Sequence, residues 1–274
     1  TAGGNATKLT DALFGIRYYL EGKNDKNNED LIEGMSALKS KSHRPDVQDM
    51  PLVSDGSYIR VYENPWCMPL GMLAEDSLST FSAGRMNPLD FQDHLANMID
   101  GKPGSEINYF EHFALDAPKL QNLTQEDGEG ALKVYRRVAE DKDTTARLNY
   151  QVHTTGKRSA YVTISETFNT YNSNIYLDDQ PVSNKRSGNV TTSQVLNVSG
   201  ANEGEKTQKL SIQMHRNKDS FTLNNVALFT LDEDALLQAV DFQRENGLKL
   251  TQFSSTSFSG TFVSKEETPY LLLS

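Results

Sequence analysis

Apolar and polar residues alternate strictly in the run KLSIQMHR, residues 209–216. Leu210, Ile212 and Met214 fall on one face, and Lys209, Ser211, Gln213 and His215 on the other, which is the period of a half-buried strand. The same period runs through residues 146–168, ARLNYQVHTTGKRSAYVTISETF, as two strands joined at Thr155-Gly156-Lys157. Leu132, Val134 and Val138 alternate with charged neighbours, and turn signals stand at Asp178-Asp179, Ser187-Gly188-Asn189 and Glu203-Gly204. Short strands with turns about every 8–12 residues predict an antiparallel β-sandwich. One helix interrupts it at residues 232–247, with Asp232 as cap, Leu236, Leu237 and Val240 inward and Gly247 as terminator. Residues 248–264 then read as two more strands about a Ser-rich bend.

The N-terminal part has a different texture. LTDALFGIRYYLEG, residues 9–22, predicts a short helical turn and a strand through Ile16, Tyr18 and Leu20. Residues 23–33 are polar and read as an exposed loop. NPLDFQDHLANMIDG, residues 87–101, is the clearest helix: Asn87 suits the N-cap, Pro88 the first helical position and Asp90 the first turn. Phe91, Leu95, Met98 and Ile99 share one face, and Gly101 ends it. The expected class is α+β: a mixed α/β domain over residues 1–115, a linker over 116–130, and a jelly-roll-like sandwich of carbohydrate-binding type over 131–274. The linker rests on the acidic cluster Glu126-Asp127-Gly128-Glu129. TPYLLLS, residues 268–274, reads as a strand of the sandwich with partners partly beyond Ser274, and the chain as a piece cut from a longer protein.

Charge and cysteine count narrow the classes. A net charge of -10 and no basic stripe argue against nucleic acid. The same charge disfavours adhesion to an anionic surface or polymer unless a cation mediates it. A single cysteine excludes an internal disulfide and any Cys-based metal cluster. No run of about 18 apolar residues predicts a membrane span.

Recognisable catalytic chemistry is missing from the pattern. There is no Ser-His-Asp motif, phosphate loop or zinc spacing, and His43, His94, His112, His153 and His215 are scattered. No cofactor or resident metal is expected. The alternating acids and amides of Asn24 to Asp30 resemble a calcium loop but lack its central Gly and bidentate Glu, so a solvated loop competes with a calcium site there. The odd stretch is YIRVYENPWCMPLGMLAED, residues 58–76, where Pro65 and Pro69 enclose Trp66, Cys67 and Met68. It reads either as a core plug or as a recognition loop. In the second reading the Trp66 ring carries a sugar's C–H face, while Tyr62, Glu63 and Asn64 take its hydroxyls.

LTDALFGIRYYL, followed about forty residues later by YIRVYENPWCMPLGML, resembles the YfhO family of bacterial polytopic membrane proteins. NPLDFQDHLANMIDG, with Tyr109-Phe110 shortly after, matches the family's next block in form. The resemblance covers residues 1 to about 115 well, and the rest in pattern only. It implies a protein with many membrane helices and a large extracytoplasmic region. It also implies glycosyltransferase chemistry on lipid-linked sugars, serving cell-wall polymers such as lipoteichoic acid in Gram-positive bacteria. The family's catalytic carboxylates lie near its membrane helices, and none maps onto this chain.

The resulting expectation is an extracytoplasmic piece, without catalysis of its own, that positions a wall glycan or polymer. Its tether is the protein's own transmembrane helices. Two other readings remain: the carbohydrate-binding module of a secreted protein, and a glycan hydrolase with an unrecognised carboxylate pair.

Overall fold

The computed structural model describes residues 6–22, 44–82, 84, 86–102, 106–138, 142–164, 173–182, 193–253, 258–262 and 270–273. Helix α1 (Lys8–Leu13) precedes strands β1 (Tyr18–Gly22), β2 (Leu52–Asp55), β3 (Ile59–Glu63) and β4 (Gly71–Ala74), then helix α2 (Pro88–Asn97). A strand-rich stretch follows. It holds β5 (Phe110–Ala114), β6 (Lys119–Gln121), β7 (Leu123–Asp127), β8 (Lys133–Arg137), β9 (Arg147–Thr154) and β10 (Ala160–Ile164). It continues with β11 (Ser173–Leu177), β12 (Gln180–Pro181), β13 (Gln194–Ser199), β14 (Lys206–Met214), β15 (Ser220–Leu223) and β16 (Val226–Leu231). Helix α3 (Glu233–Asn246) and strands β17 (Lys249–Phe253), β18 (Phe258–Thr261) and β19 (Tyr270–Leu273) come last.

The class is α+β, and the paired strands with a given register are antiparallel. Contacts divide the chain into two interleaved units. One comprises Thr1–Asn5, Lys41–Asp46 and Glu111–Leu231; the other comprises Ala6–Ser40, Val47–Phe110 and Asp232–Ser274. This grouping is not the sequential one. Residues 232–274 go with the N-terminal stretch, and 116–130 contain β6 and β7 where a linker was expected. The acidic cluster is half of a hairpin. Glu126 pairs with Arg136 at 2.9 Å and Asp127 with Lys133 at 2.6 Å across β7 and β8. Glu126 and Asp127 put charge on both faces of β7 there, so no apolar alternation betrays that strand.

The first unit is the sandwich. A four-stranded sheet, β13-β10-β16-β5, faces a five-stranded one, β12-β11-β14-β9-β6, and β15-β8-β7 closes the same core. Ala160, Val162 and Ile164 from the first sheet meet Leu148, Val152, Leu210 and Ile212 from the second. The expected β14 face is correct, with Leu210, Ile212 and Met214 all buried. Strands β9 and β10 do not pair with each other; their connection crosses between sheets. Gly156 makes that crossing at φ +64, where an added Cβ would lie 2.1 Å from the Gly204 backbone, so only glycine fits. Asp178 and Asp179, at φ 47 and 63, form the tight turn from β11 to β12. In β8 the inward residue is Tyr135, stacked on Phe221, whereas Val138 is exposed. The turn expected at 187–189 lies outside the described residues.

The second unit gathers the helices with three small sheets, β1-β3-β2, β17-β18 and β19-β4. Caps are as expected. Asn87 Oδ1 accepts from Leu89 N at 2.9 Å, and Asp232 Oδ1 from Ala235 N at 2.9 Å. The buried faces match those expected in part: Leu236 and Val240 of α3, and Ile99 just after α2, are buried as expected. Leu89, Gln92 and Ala96 are the buried residues of α2, and Leu236, Ala239, Val240 and Gln243 those of α3, leaving Leu237 39% exposed. Two buried glutamines were not expected inside, because each is held by hydrogen bonds that a hydrophobic count ignores. Strand β19 pairs with β4, Tyr270 opposite Ala74, rather than joining the sandwich. Its four residues satisfy an edge that sequence-local reasoning had no means to locate.

Candidate functional site

The proline-bounded loop belongs to the second unit. Tyr62 is 5% exposed in a small core with Val47 and Met50, against which Tyr19 and Trp66 pack. Its hydroxyl lies 3.0 Å from Glu21 Oε2 and 3.0 Å from Gln48 Oε1. Burial and the neighbouring Glu21 push its pKa up. Asn64 is 2% exposed and is occupied by the fold: Nδ2 donates to Ile16 O at 2.8 Å, and Oδ1 accepts from Trp66 N at 3.0 Å. Glu63, on the opposite side of β3 from Tyr62, pairs with Arg17 at 3.1 Å. Arg244 of α3 closes the loop by donating to Pro65 O at 2.6 Å and Cys67 O at 3.3 Å. Trp66 is half-buried, and its ring carries the Lys8 ammonium 4.5 Å from the centroid. Of the four expected ligand residues, Tyr62 and Asn64 thus point into the fold, while Trp66 and Glu63 keep part of their surface.

Behind Trp66 lies a buried ion cluster. Lys8 is fully buried, 2.9 Å from Asp49 Oδ2 and 3.4 Å from Glu233 Oε1. Its place at the start of α1 reads as a solvated position, so sequence reasoning passed over it. The calcium-like run from Asn24 to Asp30 lies outside the described residues. No group of three His, Cys, Asp or Glu among the described residues could hold a metal ion.

Asp93 on α2 is a carboxylic acid with a shifted pKa. Its Oδ1 accepts from Tyr109 N at 2.6 Å and Phe110 N at 3.1 Å, pinning the entry to β5. Burial outweighs those bonds and lifts its pKa from 3.8 to about 6. The folded state therefore holds this proton more tightly than the unfolded chain. The stability it contributes is full below about pH 4 and is lost as pH rises through about 6. Asp93→Asn keeps an acceptor for both N–H groups and removes the titration. The variant should gain roughly 1–2 kcal/mol over the parent at pH 7, a figure reduced for solvent screening, and nothing at pH 4. Urea midpoints measured across that range check it, and equal midpoints at every pH would contradict it.

The sandwich presents a different surface. The outward side chains of the five-stranded sheet lie in register: Asn174, Gln213, Arg147 and Gln121 in one row, and Tyr176, Ser211, Asn149 and Lys119 in the next. Lys209 and Gln151 form a third. The Arg147 guanidinium stands 5.3 Å over the Tyr176 ring, donates to Gln213 Oε1 at 2.7 Å and meets Asp179 Oδ1 at 3.1 Å. Lys209 takes the other Asp179 oxygen at 2.7 Å, and Ser211 Oγ donates to Asn149 Oδ1 at 2.7 Å. The Lys209 hydrogen bond leads the effects that hold the Asp179 carboxyl below its ordinary range. The β14 polar face was legible in sequence. Its juxtaposition with β9 and β6 was not, because strand order is not a local property.

Fold and surface together define an α+β protein whose β-sandwich carries an ordered polar sheet face. The match to known families extends over the whole chain, and the protein belongs to the YfhO family, bacterial membrane protein YfhO, across residues 1–274. No helix among the described residues is long and apolar enough to cross a membrane. A search of curated proteins finds no match. Among solved structures the chain is similar to the crystal structure of a Podospora anserina GH26-CBM35 beta-(1,4)-mannanase, at 12% identity and a TM-score of 0.26. That likeness covers 46% of this chain and only 28% of the mannanase chain, and it carries no weight for function.

Proposed function

We propose that this chain is an extracytoplasmic part of a bacterial multi-span membrane protein that transfers sugar from a lipid carrier to a cell-wall polymer of the lipoteichoic acid type. Its own task is to hold the acceptor glycan; the chemistry belongs to carboxylates near the membrane helices that tether it. The observation that supports this reading is membership of a bacterial membrane-protein family over the full chain, while no described helix can span a bilayer. The Trp66 loop, with Tyr62, Glu63 and Asn64, is the acceptor platform first suggested by sequence, and Trp66 and Glu63 are its accessible members.

A panel of wall-derived oligosaccharides and polymers, titrated into the purified chain, tests the reading. Binding in the roughly millimolar range, without turnover of lipid-linked or nucleotide sugars, is the expected result. Hydrolysis of any panel glycan would make the chain a hydrolase, and silence across the whole panel would end the acceptor role. Trp66 is the sole tryptophan, so a shift of its emission marks contact at that loop.

A further inference from the structure

We infer that the outer face of the β1-β3-β2 sheet rests on the surface of a lipid bilayer, with its apolar side chains at the depth of the headgroups. The sheet has two unlike sides. Tyr19 and Tyr62 pack on the small core with Val47 and Met50, and Glu21 reaches the Tyr62 hydroxyl from the same side. Leu52 and Asp55, opposite Tyr62 and Arg60, belong to that side as well. Alternation puts Tyr18, Leu20 and Gly22 of β1 on the other side, beside Glu63, Val61 and Ile59 of β3. Strand β2 adds Ser54 opposite Val61, with Val53 at the bulge next to it. Among these residues Glu63 alone is charged, and Arg17 neutralises it at 3.1 Å while standing 5.4 Å from the centre of the Tyr18 ring. Tyr18 is 50% exposed, Leu20 68% and Val53 50%, and the turns at the two ends of the sheet add Phe14 at 69% and Tyr58 at 56%.

An aromatic side chain alone carries about 150–250 Å2, so these five residues leave roughly 500 Å2 open. That is large for a monomer, where the biggest apolar patch is about 300–600 Å2 and often serves a contact. A stable dimer needs about 800 Å2 on each partner, more than this face offers. A bilayer surface asks for less. Tyrosine and phenylalanine settle at the headgroup level, where a ring finds apolar surroundings and a hydroxyl stays wet. Membership of a bacterial membrane-protein family supplies the bilayer. The net charge of -10 opposes approach to anionic lipid, and the one ion pair on the face is neutral, so the attraction is apolar and not electrostatic. With the tether proposed above, an affinity below that of one myristoyl chain, half-bound at about 1 mM lipid, is enough to hold the face down. This reading rests on that membrane setting and not on the acceptor role.

Flotation of the purified chain with phosphatidylcholine vesicles, with and without phosphatidylglycerol, tests it. The chain should float with the neutral vesicles at every salt concentration. Phosphatidylglycerol should weaken binding at low salt and cease to matter as salt screens the repulsion, the reverse of electrostatic adsorption. Leu20→Glu on β1 and Val53→Glu on β2 should each weaken binding about tenfold, whereas Leu237→Glu, at an exposed leucine of α3, should leave it unchanged. Trp66 packs against the core on the other side of the sheet, so unchanged emission without lipid shows that the variants fold. Silence on both kinds of vesicle, or face variants that bind as the parent does, overturns the lipid assignment. Equal loss in Leu237→Glu would reduce the binding to general stickiness and overturn it too. A dimer of the free chain that Leu20→Glu dissociates would give the face to a second copy instead. None of these outcomes touches the glycan titration, so the acceptor role stands or falls separately.

Discussion

Replacing Lys8 by Met will destabilise the second unit by about 3–5 kcal/mol, the usual cost of leaving buried carboxylates without their cation. The residue has no exposed side-chain surface, and the carboxylates it serves are 4% and 14% exposed at Asp49 and Glu233. Methionine matches the stem and fills the volume, so the loss isolates charge rather than packing. The double variant Lys8→Met with Asp49→Asn should regain a large part of the loss, because the closer partner no longer needs compensation. Since the sole tryptophan lies over Lys8, its fluorescence in a urea titration follows the unit concerned. A single variant within about 1 kcal/mol of the parent would show that Asp49 and Glu233 find other partners at little cost.

The next largest effect is expected at Gln243. Its Oε1 accepts from Leu73 N at 2.8 Å, its Nε2 donates to Leu73 O at 2.7 Å, and the same amide reaches Ile99 O. One fully buried side chain on α3 therefore completes the backbone bonding of β4 and of the turn after α2. Gln243→Leu preserves size and strands those groups, at a cost of about 2–4 kcal/mol. Gln243→Glu keeps the bond from Leu73 N but sets a carboxylate against two carbonyls. It should be worse than Leu at pH 7 and recover on acidification, as protonation restores a donor. A Glu variant whose stability does not respond to pH would refute the bridging role.

Sequence patterns located elements better than they located faces. The β14 alternation, both helix caps and the Asp178-Asp179 turn follow from neighbours within a few residues, and these were legible. Partners set elsewhere in the chain were not. Gln92 is buried because Thr7 Oγ1 donates to it at 2.6 Å from 85 positions away, and Gln243 because β4 needs it. Hydrophobic periodicity sees both as solvent-facing. Strand β7 was missed for the opposite reason, since its side of the cross-strand ion pairs to β8 looks like a linker's charge run. At the candidate sites, the Trp66 loop was visible because its composition is unusual. The sandwich face was not, because it is made of ordinary polar residues ordered only by pairing between β6, β9, β11 and β14.

The pairing of β19 with β4 carries a consequence for synthesis. Leu273 meets Gly71, about 200 residues earlier, and the whole strand-rich stretch is made in between. At about 5–20 residues per second, β4 leaves the ribosome roughly 10–40 s before its partner exists. During that interval its edge N–H and C=O groups face solvent, chaperone or another nascent chain. The sandwich, drawn mainly from one continuous stretch, can close meanwhile. Biogenesis should thus run from the middle of the chain outward, and a nascent chain in which Leu231 has just cleared the ribosome would hold a finished sandwich while its N-terminal stretch still lacked its last strands.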